Sequence, residues 1–223
     1  MRRLLRENGL SIVWLGMFFL TLIFGQSVVG HREYNSEQKE HGQAEVSFVE
    51  YVQSAHFVEA TMENWESEFL QMFLFIVLTA FLYQKGSSES KKLDEEEAVD
   101  RDPRQSKNKS DAPWPVRKGG FVLKLYENSL SLTFLLLFLG SFFLHAAGGA
   151  SEYNQDQAQH GSDERVTTLQ YLATSRFWFE SLQNWQSEFL SVGLMVVLTI
   201  WLRQKGSPES KPVDAPHSQT GKD

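Results

Sequence analysis

The 223-residue sequence contains no cysteine. That excludes a disulfide framework and any thiolate-bound metal. It has no excess of positive charge: the formal net charge is −7, so nucleic acid is not expected as a partner. No glycine-rich phosphate loop opens a helical stretch and no dinucleotide fingerprint occurs. Gly-x-Ser-x-Gly is absent, and so is His-Glu-x-x-His. No catalytic nucleophile or metal centre stands out, and no cofactor is expected. The most informative absence is of charge itself, which is missing from Leu10 to Val29 and from Leu130 to Ala147.

Each of these runs is close to the ~20 residues a helix needs to cross ~30 Å of hydrocarbon. Two shorter apolar runs follow them, Phe69 to Tyr83 and Phe189 to Leu202. At about 1.5 Å per residue they are too short alone. Crossing requires each helix to begin near Trp65 or Trp185, residues suited to the headgroup level. The load of 17 Phe and 6 Trp also fits lipid-facing helices with interfacial belts. Arg2, Arg3 and Arg6 before the first run resemble a signal peptide. The run is long, however, lacks a small-x-small cleavage site and is repeated mid-chain, so a retained helix is expected.

Lys and Arg set the expected orientation. Arg2, Arg3 and Arg6 precede the first run, and residues 84–125 hold ten Lys plus Arg. Arg203, Lys205, Lys211 and Lys222 follow the last run, whereas residues 31–65 hold only Arg32 and Lys39. Residues 149–185 hold only Arg165 and Arg176. Both termini and the linker are therefore expected in the cytoplasm, and the two acidic loops outside.

An internal repeat organises the chain. Asn64-Trp65-Glu66-Ser67-Glu68-Phe69-Leu70 returns as Asn184-Trp185-Gln186-Ser187-Glu188-Phe189-Leu190, and Gln84-Lys85-Gly86-Ser87 as Gln204-Lys205-Gly206-Ser207. In the loops the offset is one shorter, as Glu33-Tyr34-Asn35 and His41-Gly42 match Glu152-Tyr153-Asn154 and His160-Gly161. The expected fold class is an all-α membrane protein. Four transmembrane helices form two tandem parallel two-helix repeats, with a pseudo-twofold axis along the membrane normal. The first repeat is 1–85, with helices near 9–30 and 65–84 and an outer loop at 31–64. The second is 121–205, with helices near 129–148 and 185–203 and an outer loop at 149–184. Residues 86–120, rich in Ser, Lys, Asp, Glu and Pro, read as a disordered cytoplasmic linker, and 206–223 as a disordered tail.

Two sets of side chains are candidates. Glu68 and Glu188 head their helices near the outer hydrocarbon edge, where an ionisable residue is a functional hypothesis. Glu68, Gln71 and Thr79 share a helix face, as do Glu188, Ser191 and Thr199. Facing carboxylates can share a proton or bind a cation. The plainer reading is an anion at a helix N-terminus. Asn64 and Asn184 either cap these helices or lie inside helices that begin earlier, near Ser54. The second set is the outer-loop motif: Tyr34, Asn35, Glu37 and His41, then Tyr153, Asn154, Asp156 and His160. Glu37 with His41 and Asp156 with His160 are four apart and offer a two-His, two-carboxylate metal site. The plainer reading is a short helix ended by glycine, with histidine near its negative end.

In combination, residues 7–11 (Glu-Asn-Gly-Leu-Ser), the Tyr-Asn and His-Gly pairs, the Asn-Trp-x-Ser-Glu-Phe-Leu motif and Gln84-Lys85-Gly86-Ser87 resemble a bacterial family of integral membrane proteins known only as a domain of unknown function. The resemblance implies a bacterial inner-membrane location and brings no activity. Three functions compete. The first is ion or proton permeation through the glutamate-bearing bundle, which calls for a homodimer in the lipid bilayer. The second is a non-catalytic sensor or scaffold that recruits a cytoplasmic protein through 86–120. The third is a metal-dependent membrane enzyme, well behind the others.

Overall fold

Serine and threonine side chains start several of the helices, and glycines at positive φ end others. The computed structural model describes residues 2–222, and the elements found among them are helices and turns. Helix α1 (Arg2–Leu20) runs through nine π-helical residues, Thr21–Val29, into α2 (Gly30–Glu40). Two short helices, α3 (Phe48–Val52) and later α8 (Thr168–Tyr171), each precede a long one. The long ones are α4 (Ala55–Phe81), α7 (Ser129–Gln159) and α9 (Ser175–Leu198); α5 (Trp114–Lys118) lies in the linker and α6 (Gly120–Glu127) opens the second repeat. Among the described residues, two helical stretches are long and apolar enough to cross a membrane, Arg3–Glu40 and Ser129–Gln159. At about 1.5 Å per residue both exceed the ~30 Å required, so their polar ends extend past the apolar runs.

The long helices begin earlier than the apolar runs imply. Ser54 Oγ accepts the Phe57 N–H at 3.2 Å, and Thr174 Oγ1 accepts the Phe177 N–H at 3.3 Å. These hydroxyls satisfy backbone donors that a helix start leaves open. Helices α4 and α9 therefore begin ten residues before Trp65 and Trp185, and Asn64 and Asn184 are interior residues rather than caps.

The chain divides into two compact units, Met1–Met62 with Phe143–Phe177 and Glu63–Phe142 with Trp178–Asp223. In the first, one local structure is built twice. Helix α2 ends in a Schellman turn: Gln43 N–H reaches Gln38 O at 2.7 Å, Gly42 N–H reaches Lys39 O at 3.0 Å, and Gly42 takes φ +69°. Ser162 N–H to Gln157 O (2.9 Å), Gly161 N–H to Ala158 O (3.1 Å) and φ +72° at Gly161 repeat it. Positive φ with these two bonds is the glycine-ended helix stop. Asn35 then holds the returning strand of chain, its amide exchanging two hydrogen bonds with Val46 at 2.9 and 3.0 Å. Asn154 does the same with Val166 at 2.9 and 2.8 Å. Capping boxes follow, Ser47 with Glu50 and Thr167 with Gln170. Tyr51 then packs over Gly30 and Tyr171 over Gly149.

The second unit contains the segments read as disordered. Residues 86–120 carry two short 3₁₀ turns, Ala98–Asp100 and Pro103–Ser106, and helix α5. The repeated Gln-Lys-Gly-Ser continues as Ser-Glu-Ser-Lys in one copy and Pro-Glu-Ser-Lys in the other. Both copies form the same turn. Gln84 N–H reaches Ser90 Oγ and Gln204 N–H reaches Ser210 Oγ, each at 2.9 Å. Lys211, only 1% exposed, donates to the carbonyls of Gly86, His217 (3.1 Å) and Gln219 (2.8 Å). Gly221 N–H bonds Ser87 O at 2.9 Å, which ties the tail to the turn after α4. Order here comes from short polar side chains satisfying backbone groups, a source that low hydrophobicity does not exclude. Replacing Lys211 by alanine should cost about 2 kcal/mol, the scale of charged hydrogen bonds. Amide exchange at Gly221 should then accelerate, as hydrogen–deuterium exchange of the full chain in detergent can measure.

Candidate functional site

The two glutamate-headed stripes meet in the second unit. Gln71 Nε2 donates to Glu188 O at 3.1 Å and to Ser191 Oγ at 3.0 Å. Glu188, partly buried, lies within coulombic reach of Glu68, which is exposed. Beside this contact is a cleft of about 470 Å³ whose lining includes Gln71, Phe75, Thr79, Glu89, Phe189 and Gly193. Thr79 donates back to Phe75 O at 2.7 Å, the usual way a helix absorbs a hydroxyl. Thr199 is buried and shares a 3.1 Å hydrogen bond with Ser87 Oγ, so it belongs to the turn beyond the helix and not to the stripe. Glu66 was not singled out from the sequence, yet it is fully buried and accepts the Trp185 indole N–H at 3.3 Å. Its counterpart is Gln186, and this loss of charge between copies is the signal that marks it.

The loop residues gather in the first unit but divide their tasks. His41 and His160, both exposed, place their ring centroids 6.4 Å apart and nearly perpendicular. His160 Nδ1 lies 2.8 Å from the Asp156 backbone oxygen. The Asp156 carboxylate is 3.5 Å from the Arg176 guanidinium. Among the described residues, Glu37, His41, Asp156 and His160 do not supply three ligand atoms within 4.8 Å of one another. Asn35 and Asn154 spend their amides on Val46 and Val166, which makes them loop fasteners. Tyr34 is buried against Tyr51 and His56, with centroids 5.5 and 5.1 Å away. Tyr153 is partly buried beside Tyr171 at 6.4 Å.

Two polar clusters in this unit were not anticipated. Glu59 and His145 are buried, with a carboxylate oxygen within 4.8 Å of a ring nitrogen. Tyr171 donates to Glu59 Oε1 at 3.3 Å, and Phe177 lies against the His145 ring at 4.8 Å. The spacing of His145 and Glu59 in the sequence carries no hint of this, because different helices bring them together. The other cluster surrounds Glu152, in the polar extension of α7 beyond its apolar run. One carboxylate oxygen accepts the His56 backbone N–H. The other, Oε2, is sealed from solvent with no hydrogen-bond donor. Burial, then the neighbouring Asp156 charge, raises the Glu152 carboxyl from 4.5 to about 7, Arg176 opposing them. Burial also lowers the His56 imidazole, whose Nδ1 is sealed and without a partner.

No curated protein and no solved structure matches the chain. The family described as domain of unknown function (DUF6766) matches residues 1–222. That match takes in both repeats, the linker and nearly all of the tail, and the chain belongs to this family.

Proposed function

We propose that the protein is a four-span bacterial inner-membrane protein with both termini in the cytoplasm, and that it passes or couples protons or small cations through the α4–α9 pair. The single observation that carries this reading is the Gln71 amide bonded to Ser191 and to the Glu188 carbonyl, which joins the polar stripes of the two copies. Polar groups on helices in hydrocarbon are costly unless they pair or line a pathway. Large apolar side chains on both helices, such as Phe81 (73% exposed) and Leu190 (59% exposed), call for lipid as their cover. Neither glutamate of the pair lines the cleft. Glu68 stands one helical turn before Gln71, which does line it, and Glu188 directly before Phe189, so each offers a protonatable oxygen or a cation ligand close to the lining residues. Four helices enclose a thin pathway, so a homodimer related by a twofold axis is the natural working form.

The test is flux in proteoliposomes, read with a pH-sensitive dye and with a potassium-sensitive one. Glu68→Gln combined with Glu188→Gln should abolish the flux of the wild-type chain. Full flux through the double variant, or none through wild type, would remove this reading.

A further inference from the structure

Glu33 and Glu152 occupy the same place in the repeated loop motif, yet their surroundings differ. Glu33 is exposed. Glu152 reaches the start of α4, where the His56 backbone N–H takes one oxygen and the other is left bare inside the protein. We propose that Glu152 is a proton-binding site: the resting fold holds its carboxyl neutral, and loss of the proton sets a further negative charge against Glu37 and Asp156 and loosens the contact between the outer segments of the two copies.

The geometry supplies the reason. A desolvated carboxylate oxygen without a donor is costly as an anion and cheap as a protonated group. The groups that act on Glu152 come from several elements. From its own helix comes Asp156, and from α2 come the buried Tyr34 phenol and the Glu37 charge. From α4 comes His56, whose ring is kept toward its neutral form by burial. From the first turn of α9 comes the Arg176 cation, which also pairs with Asp156. The N-terminal end of α4 favours a negative charge, but two carboxylates and burial outweigh it, leaving the group poised at about 7. This site works whether or not ions cross α4 and α9, so a negative flux experiment leaves it standing.

Linkage sets the sign. The carboxyl takes its proton at about 7 when folded and near 4.5 otherwise, so the stabilisation is complete below about 4.5 and is lost as pH rises through about 7. His56, lowered from 6.5, acts in the opposite sense: its contribution is lost as pH falls. Melting of the full chain in lipid nanodiscs, followed by tryptophan fluorescence, should therefore show wild type weakening from pH 6 to pH 8. Glu152→Gln should remove that decline and melt above wild type at pH 8. Asp156→Asn should shift its midpoint to lower pH, which a merely structural Glu152 would not do. An unchanged decline in Glu152→Gln, or an unmoved midpoint in Asp156→Asn, would overturn the proposal. Infrared spectra of the wild-type chain with isotope-labelled glutamate give a check that needs no variant. A protonated carboxyl band should be present at pH 6 and fade through pH 7, and its absence at pH 6 would equally overturn it.

Discussion

Replacing Gly148 by leucine should abolish accumulation of the folded chain. A Cβ at this position would lie 2.8 Å from the backbone nitrogen of Glu59 and 3.0 Å from its Cα. Backbone cannot swing aside as a flexible side chain can, so the two helices would have to separate. Their contact is lined by small residues: Ala146 is fully buried and Ala150 4% exposed beside the two glycines. Close approach of small-residue faces is how helices in lipid gain packing energy without a hydrophobic driving force. Overpacking of an ordinary core costs about 1–3 kcal/mol. Here the displaced helix also carries Glu59 away from the Tyr171 hydroxyl, so the loss should exceed that range. Gel filtration of the detergent-solubilised protein and its yield in the membrane fraction measure the outcome. Gly140→Leu, at a position with nothing within 4 Å, should behave as wild type. Equal yields of the two variants would contradict the packing described.

Alanine at Asn35 should cost about 2 kcal/mol, and alanine at Asn154 about the same. Each substitution removes the two hydrogen bonds to a partly buried valine. Both backbone groups of Val166 are stranded, whereas at Val46 the N–H is stranded and the carbonyl keeps the His31 ring at 2.8 Å. The cost is ~1–3 kcal/mol per unsatisfied group when fully buried. Water reaching the partly exposed loop reduces that to the stated value. The two losses should not simply add. The loops the asparagines fasten bring His41 and His160 within 6.4 Å, and neighbouring sites couple. Denaturant titration of the single and double variants gives the coupling energy directly. If either single substitution were neutral, its asparagine would not be a fastener, and a binding role for that amide would regain standing.

Those asparagines show where reading the sequence reaches its limit. Tyr34, Asn35, Tyr153 and Asn154 stand out because they repeat, and repetition alone does not separate a ligand from a fastener. The plainer reading of His41-Gly42 and His160-Gly161 as helix stops needed only local chemistry, since a glycine at positive φ follows each helix end. The serine and threonine starts at Ser54 and Thr174 are equally local. A start near Ser54 is one of the two openings the sequence offers, and hydropathy does not choose between them because it says nothing about polar turns added outside the hydrocarbon.

Duplication, the two uncharged runs and the glycine-ended turns were determined by the sequence itself, because each depends on residues near one another in the chain. Tertiary structure alone decided which of two identical motif glutamates would keep a proton. Glu33 and Glu152 share their neighbours in sequence, but only Glu152 meets the start of α4, the burial there and the charge of Glu37 from the other copy. The same holds for Glu59 with His145 and for Gln71 with Ser191. Charge, desolvation and hydrogen bonding act through space over a few ångströms, and a linear pattern does not specify which distant residues will share that space.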